Sequence, residues 1–226
     1  MKLTIILTSY GRPKLVTRTV ESILNQSDPR WRLIIQDDGS GMSVLGPLRK
    51  FAYNDHRIEL HEHPDVTDRD KVSRYAVLIN EALPWVEDGS ILGYLCDNVE
   101  YKPDLVERVL RWFEVSQDRH IGYVAQGRDV YQNGRFESAA IHGHWATIPQ
   151  FPGPTIIPQY IRGNLDHSQV FHRFPVKQRW SEDIKHVKYG DAEFYTRLAY
   201  ELGDIACIWP LPLTWEHIPG RRMSEE

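Results

Sequence analysis

A chain of 226 residues, 41% hydrophobic and 26% charged, is long enough to bury a core and too apolar to be a disordered tail. A net charge of -4 argues against a nucleic-acid partner. No apolar stretch reaches the roughly 20 residues that cross a bilayer, and the first residues, MKLTIILTSYGRP, read as a strand rather than a signal peptide, so a cytoplasmic protein with no transmembrane segment is expected.

In chain order, LTIILTS (3–9) reads as a strand, broken by Gly11 and Pro13 and followed by Val16, Val20, Ile23 and Leu24 at helical spacing. The pattern repeats with a strand at 32–38, a Gly-Ser turn, a helix around 43–53 and a strand at 57–63. Val72, Tyr75, Ala76, Ile79 and Leu83 then form a second helical face. A strand at 90–97 leads to a helix opened by Pro103, with Val106, Val109, Leu110 and Phe113 on its apolar side. After about residue 120 come short β-like pieces (IGYVAQ, RFESAAIH) and a Pro- and Gly-rich stretch over 148–158, expected as a long loop or lobe boundary. A helix over 191–202 carries Tyr195, Leu198, Ala199 and Leu202 on one face, and a strand-like piece at 205–209 precedes the tail. Cys96 and Cys207 lie in apolar runs without metal-ligand spacing and are expected as free buried thiols.

Strands alternating with helices imply an α/β fold with a mostly parallel sheet, whose ligands bind beyond the carboxyl ends of the strands. The residues that close the strands are Thr8, Ser9 and Tyr10, then Asp37 and Asp38, then Asp97 and Asn98. Neither a G-x-G-x-x-G after the first strand nor a P-loop is present, which disfavours the ordinary dinucleotide and P-loop readings. A crevice lined by strand-end carboxylates suits a diphosphate neutralised by a divalent cation, and Asp97 with the amide oxygen of Asn98 suits Mg²⁺ or Mn²⁺. Asp37 reads as a turn former. The pairs His61/His63 and His142/His144 have no evident third ligand and read as solvated or packed histidines.

The segments TSYGRPKLVTRTVESILNQ, LIIQDDGS, KVSRYAVLINEAL, YLCDNVEYKPDLVERVL, NLDHSQVFHR and YGDAEFYTRL, in this order and spacing, resemble family 2 glycosyltransferases of the GT-A fold. The resemblance implies a Rossmann-like sheet flanked by helices, with a donor-binding half over 1–118 and an acceptor-binding, catalytic-base half over 119–226. It implies that Thr8, Ser9, Tyr10 and Asp38 hold the base and ribose of a nucleotide diphosphate sugar, UDP- or dTDP-linked, and that Asp97 and Asn98 hold the ribose and the metal-bound diphosphate. The family usually has an acid at the place of Asn98. Asp191 falls where the family has its general base, for an inverting transfer to a hydroxyl acceptor, and Asp166 with His167 falls near the acceptor. The family places Lys71 and Arg74 beside the donor, and Arg74 is the better phosphate ligand because its guanidinium binds bidentately. His217 stands where many GT-A enzymes have a third metal ligand, with Arg221 and Arg222 in a tail able to close over the site. Two rivals are a nucleotide-sugar nucleotidyltransferase, which needs a Gly-rich loop after the first strand where only Gly11 stands, and a non-catalytic nucleotide-sugar binding module, suggested by Asn98.

Overall fold

The computed structural model describes residues 1–65, 69–132, 135–142, 155–156, 165–186 and 190–218, and of 128–142, 155–156, 186, 209–212 and 218 it describes the backbone alone. Most of the stretch 148–158, His144, Arg221 and Arg222 lie outside the described residues. Among the described residues no helix is long and apolar enough to cross a membrane.

The first half follows the strand-helix alternation read from the sequence: β1 (Leu3–Ser9), α1 (Pro13–Leu24), β2 (Trp31–Asp37), α2 (Met42–Asn54), β3 (Ile58–Glu62), α3 (Arg74–Ala82) and β4 (Ile91–Cys96). β1 pairs in parallel with both β2 and β4, and β2 with β3. Period-2 alternation divides β1 between two apolar layers: Leu3, Ile5 and Leu7 pack with Val16, Val20 and Ile23 of α1, while Ile6 packs with Ala76 and Ile79 of α3. The chain therefore reverses its direction of travel across the sheet at β1, with β2 on one side and β4 on the other. The strand ends at that reversal open a crevice.

The second half differs more from expectation. β5 (Val99–Tyr101) is a three-residue strand that no apolar run announces. α4 (Leu105–Val115) starts two residues after Pro103, whose carbonyl accepts from Ser27 N at 2.8 Å instead of opening the helix. β6 (Ile121–Gln132), β7 (Arg135–His142), the short β8 (Thr155–Ile156) and β9 (Val170–Arg173) follow, then α5 (Gly190–Leu202). The last strand, β10 (Ile205–Ile218), runs nine residues beyond the piece read at 205–209. Pro210 and Pro212 fall within it, where the β10–β6 register shifts between Trp209, Pro212 and Thr214, and such irregularities accommodate proline within a sheet. The sheet order is β3-β2-β1-β4-β9-β6-β10-β5, with β7 on β6 and β8 on β10. It is a mixed sheet, parallel through β3-β2-β1-β4 and again at β6-β10, with antiparallel pairing around β9 and β5.

The Gly-Ser turn after β2 is a close crossing. Gly39 has φ +79°, and a Cβ there would lie 2.5 Å from Asp65 Cα. Backbone strain and a backbone clash then act together. Gly39→Ala is expected to destabilise the protein by about 2 kcal/mol or more, read as a lowered midpoint of thermal or urea unfolding.

Candidate functional site

Three strand ends meet at the crevice, a cavity of about 460 Å³ lined by Thr8, Ser9, Tyr10, Gly11, Arg12, Asp38, Arg69, Arg74, Tyr75, Leu78, Cys96 and Asp97. Hydrogen bonds fix the loops that leave them. Asp38 N donates to Ser9 O at 2.9 Å, Asp37 Oδ2 accepts from Ser40 N at 2.8 Å, and Ser40 Oγ accepts from Gly11 N at 3.0 Å. Asp37 is thus the turn former the sequence suggested, and the neighbouring Asp38 faces the crevice.

Asp38 is buried, with Arg74 Nε and Nη2 donating to its Oδ1 at 3.0 and 2.7 Å and Arg69 donating to its Oδ2. Arg69 also lies over the Tyr10 ring, 3.7 Å from the centroid, a cation–π contact. Arg74 was expected to grip phosphate, but in this structure its guanidinium is held by Asp38. Arg69 and Arg12 were missed as site residues. Arg69 lies outside any periodic segment, whereas Arg12 could have been found, because it follows the first strand end by only three residues.

Asp97 is buried and accepts from Arg12 Nη1 at 3.1 Å and from Tyr10 N at 3.3 Å. Burial raises its carboxyl above the ordinary carboxylate range, and the opposing effect of Arg12 does not cancel this. A desolvated carboxylate with one half-exposed cation can accommodate more positive charge, so Asp97 fits a divalent metal.

The other expected ligands are engaged. Asn98 Nδ2 donates to His217 O at 3.0 Å, and His217 N donates to Asn98 O at 2.8 Å, which ties β10 to the β4–β5 turn. The His217 imidazole meets Glu100 Oε1 at 2.7 Å, and Arg18 reaches the same oxygen at 2.5 Å. The amide at position 98 thus has a structural reason: a carboxylate there would set an oxygen against the His217 carbonyl. Asn98→Asp is expected to destabilise the fold by about 1–3 kcal/mol, the cost of losing a buried hydrogen bond and leaving its acceptor unsatisfied, read by chemical denaturation.

Asp191 stands in the first turn of α5, beside the turn that precedes β9. Its Oδ1 lies 3.4 Å from His167 Nδ1, and Asp166 Oδ1 lies 4.0 Å from the same nitrogen. These three residues form the one group with metal-ligand proximity found among the described residues. Asp166 also caps its turn, accepting from Ser168 N at 3.0 Å while Gln169 Oε1 accepts from Asp166 N at 2.9 Å. His167 was expected near the acceptor and is buried, its Nε2 2.9 Å from Cys96 Sγ and its ring stacked with Tyr75 at 6.0 Å. Burial disfavours its imidazolium, but the neighbouring groups raise its basicity well above the usual histidine value. Those groups are Cys96, whose thiol burial pushes up to about 11, then Asp166 and Asp191. Cys96 and Tyr75 line the crevice, so the group around Asp191 reaches the strand-end site through them. Of the histidine pairs, His61 stacks on Trp85 at 4.0 Å and His63 Nε2 meets Gln36 Oε1 at 2.6 Å, the packed roles expected of them.

Comparison with known proteins agrees with this architecture. Residues 4–180 match the family model "Glycosyl transferase family 2". The chain is 32% identical over 208 residues to Protein CgeD of Bacillus subtilis, covering 87% of this chain and 46% of CgeD. It is 31% identical over 108 residues to the putative teichuronic acid biosynthesis glycosyltransferase TuaG of the same organism, covering 48% of this chain and 40% of TuaG. The chain thus spans less than half the length of these curated relatives. Among solved structures, Staphylococcus aureus TarS residues 1–349 in complex with UDP-GlcNAc superposes with TM-score 0.71 at 14% identity, covering 100% of this chain and 61% of that one. The mannosyltransferase PcManGT of Pyrobaculum calidifontis, in complex with GDP-Man and Mn²⁺, does so with TM-score 0.57 at 13% identity, covering 98% and 58%. The fold is GT-A, and the chain belongs to glycosyl transferase family 2.

Proposed function

We propose that this chain transfers a sugar from a nucleoside diphosphate sugar, UDP- or dTDP-linked, to a hydroxyl acceptor with inversion, and that Asp191 is the general base. The observation that carries the reading is the joining of two sites. The strand-end crevice bears Asp38 and Asp97 among three arginines, and Cys96 and Tyr75 on its wall contact His167, which meets Asp191. The nucleotide sugars bound by TarS and PcManGT, proteins of the same fold, support the donor class, and the teichuronic acid biosynthesis assigned to TuaG supports a saccharide acceptor.

The nucleobase occupies the face of Tyr10 and contacts Asp38, which requires Arg69 to leave the tyrosine ring, and Thr8 and Ser9 border the ribose. The acceptor oxygen attacks the anomeric carbon as the bond from that carbon to the diphosphate oxygen breaks. Asp191 takes the hydroxyl proton, and the leaving nucleoside diphosphate takes the bonding electron pair. Arg12 stands beside Asp97 where that charge develops, and Arg69 and Arg74 are the further cations within the crevice. A divalent cation, Mn²⁺ or Mg²⁺, fits Asp97 with the Asn98 amide oxygen, and His217 if its ring leaves Glu100, and supplies further positive charge to the diphosphate. The halves 1–118 and 119–226 divide the work into donor binding and acceptor activation.

Titration calorimetry with UDP and dTDP, with and without Mn²⁺, combined with turnover of their sugar conjugates, tests the reading. Micromolar binding of a nucleoside diphosphate with slow release of sugar from its donor is expected. Binding without any turnover of donor would indicate a binding module.

A further inference from the structure

Asp191 has a neighbour that the proposed transfer has not used. His167 is buried between the crevice and α5, and its two ring nitrogens face different groups: Nε2 lies 2.9 Å from Cys96 Sγ, and Nδ1 lies 3.4 Å from Asp191 Oδ1. The ring has little freedom. Tyr75 stacks on one side at 6.0 Å, Trp180 meets it edge-on at 6.0 Å, and the His167 carbonyl accepts from Tyr195 Oη at 3.0 Å, anchoring its backbone to α5. With a thiol proton directed at Nε2, the neutral ring carries its hydrogen on Nδ1. The imidazolium carries one there as well. In either state an N–H is directed at Asp191.

We propose that His167 is the positioning residue for Asp191: it donates Nδ1–H to Oδ1, fixes the carboxylate plane, and leaves Oδ2 to receive the proton of the acceptor hydroxyl. The inference rests on the reading of Asp191 as the base. A carboxylate has two acceptor oxygens, so a hydrogen-bond donor fixed on Oδ1 settles which oxygen is left for the acceptor. The separation of 3.4 Å is long for such a bond, and catalytic hydrogen bonds are often long before substrate arrives. Among the described residues, the titratable groups facing Asp191 are His167 and Asp166 from the turn before β9, Tyr75 from α3 and Tyr195 from its own helix. Both tyrosines keep their protons at neutral pH because burial raises them. His167 alone in this set directs a side-chain N–H at Asp191.

The test uses two isosteres that divide the functions of the ring. The Asn amide nitrogen overlays Nδ1 and keeps a donor toward Asp191, whereas the Gln amide overlays Nε2 and keeps only the contact with Cys96. Expected for His167→Gln is a turnover of donor sugar lowered by about 10- to 100-fold with an unchanged Kd for UDP. Most of the rate should return in His167→Asn. Equal loss in both variants would overturn the proposal, as would wild-type rates in His167→Gln. A second readout needs no turnover: in NMR titration of the His167 ring, Asp191→Asn should lower the imidazole pKa by about one unit, and an unmoved titration would also overturn it. If the wild type turns over no donor while that titration does move, the contact stands and glycosyl transfer by this chain fails.

Discussion

Asp191→Asn is expected to lower glycosyl transfer by about 10²- to 10⁴-fold while leaving UDP affinity within about twofold of wild type, the effect of removing a general base and little else. Two features limit its consequences to chemistry. Asp191 lies in the first turn of α5, where Asn is tolerated, and the crevice is lined from the ends of β1, β2 and β4, the loops that follow them, Arg69 and α3, with no lining group from α5. Replacing the carboxylate leaves a side chain of the same shape beside His167 but one that cannot take a proton at neutral pH. Initial-rate kinetics with saturating donor, alongside calorimetry with UDP, separates the two. A parallel loss of UDP affinity would mean that Asp191 serves donor binding instead.

Asp97→Asn should have the opposite signature, a loss of donor and metal affinity by about tenfold or more without a loss of stability. Burial raises the Asp97 carboxyl in the folded protein, so folding favours its protonated form. That contribution to stability is full below the unfolded pKa and is lost as pH rises through the folded pKa. At neutral pH the ionised Asp97 therefore weakens the fold relative to a neutral amide, and the Arg12 left behind is half-exposed and stays solvated. Thermal unfolding at neutral pH should show the variant at or above the wild-type midpoint, and the difference should shrink on acidification. A large drop in midpoint would place Asp97 among the supports of the fold instead of the ligand-binding groups.

Much of the first half was legible in the sequence because each strand there is a short apolar run between breakers, and its side chains alternate between two helical layers. Leu3, Ile5 and Leu7 against Ile6 is that pattern in one strand. The strand-end candidates Thr8, Ser9, Tyr10, Asp38 and Asp97 converge on the crevice for the same reason, since parallel strands bring their carboxyl ends together. The second half was less legible. β5 is too short to show a period, and β10 passes through prolines that end most strands. What sequence could not give was pairing. Nothing in the order of residues says that Asp38 is met by Arg69 and Arg74, that the Asn98 amide is tied to the His217 carbonyl, or that His167 stands beside Asp191. Each of these contacts joins segments well separated in the chain, and two of them engage groups, the Arg74 guanidinium and the Asn98 amide, that were expected to face the donor.

The most direct measurement is a crystal structure of the chain with UDP and Mn²⁺. Expected are the uracil against Tyr10 with Arg69 moved off the ring, Asp38 bonded to the base, and the diphosphate with its metal at Asp97. Nucleotide bound away from the ends of β1, β2 and β4, or base contacts that exclude Asp38, would contradict the assignment of the crevice as the donor site.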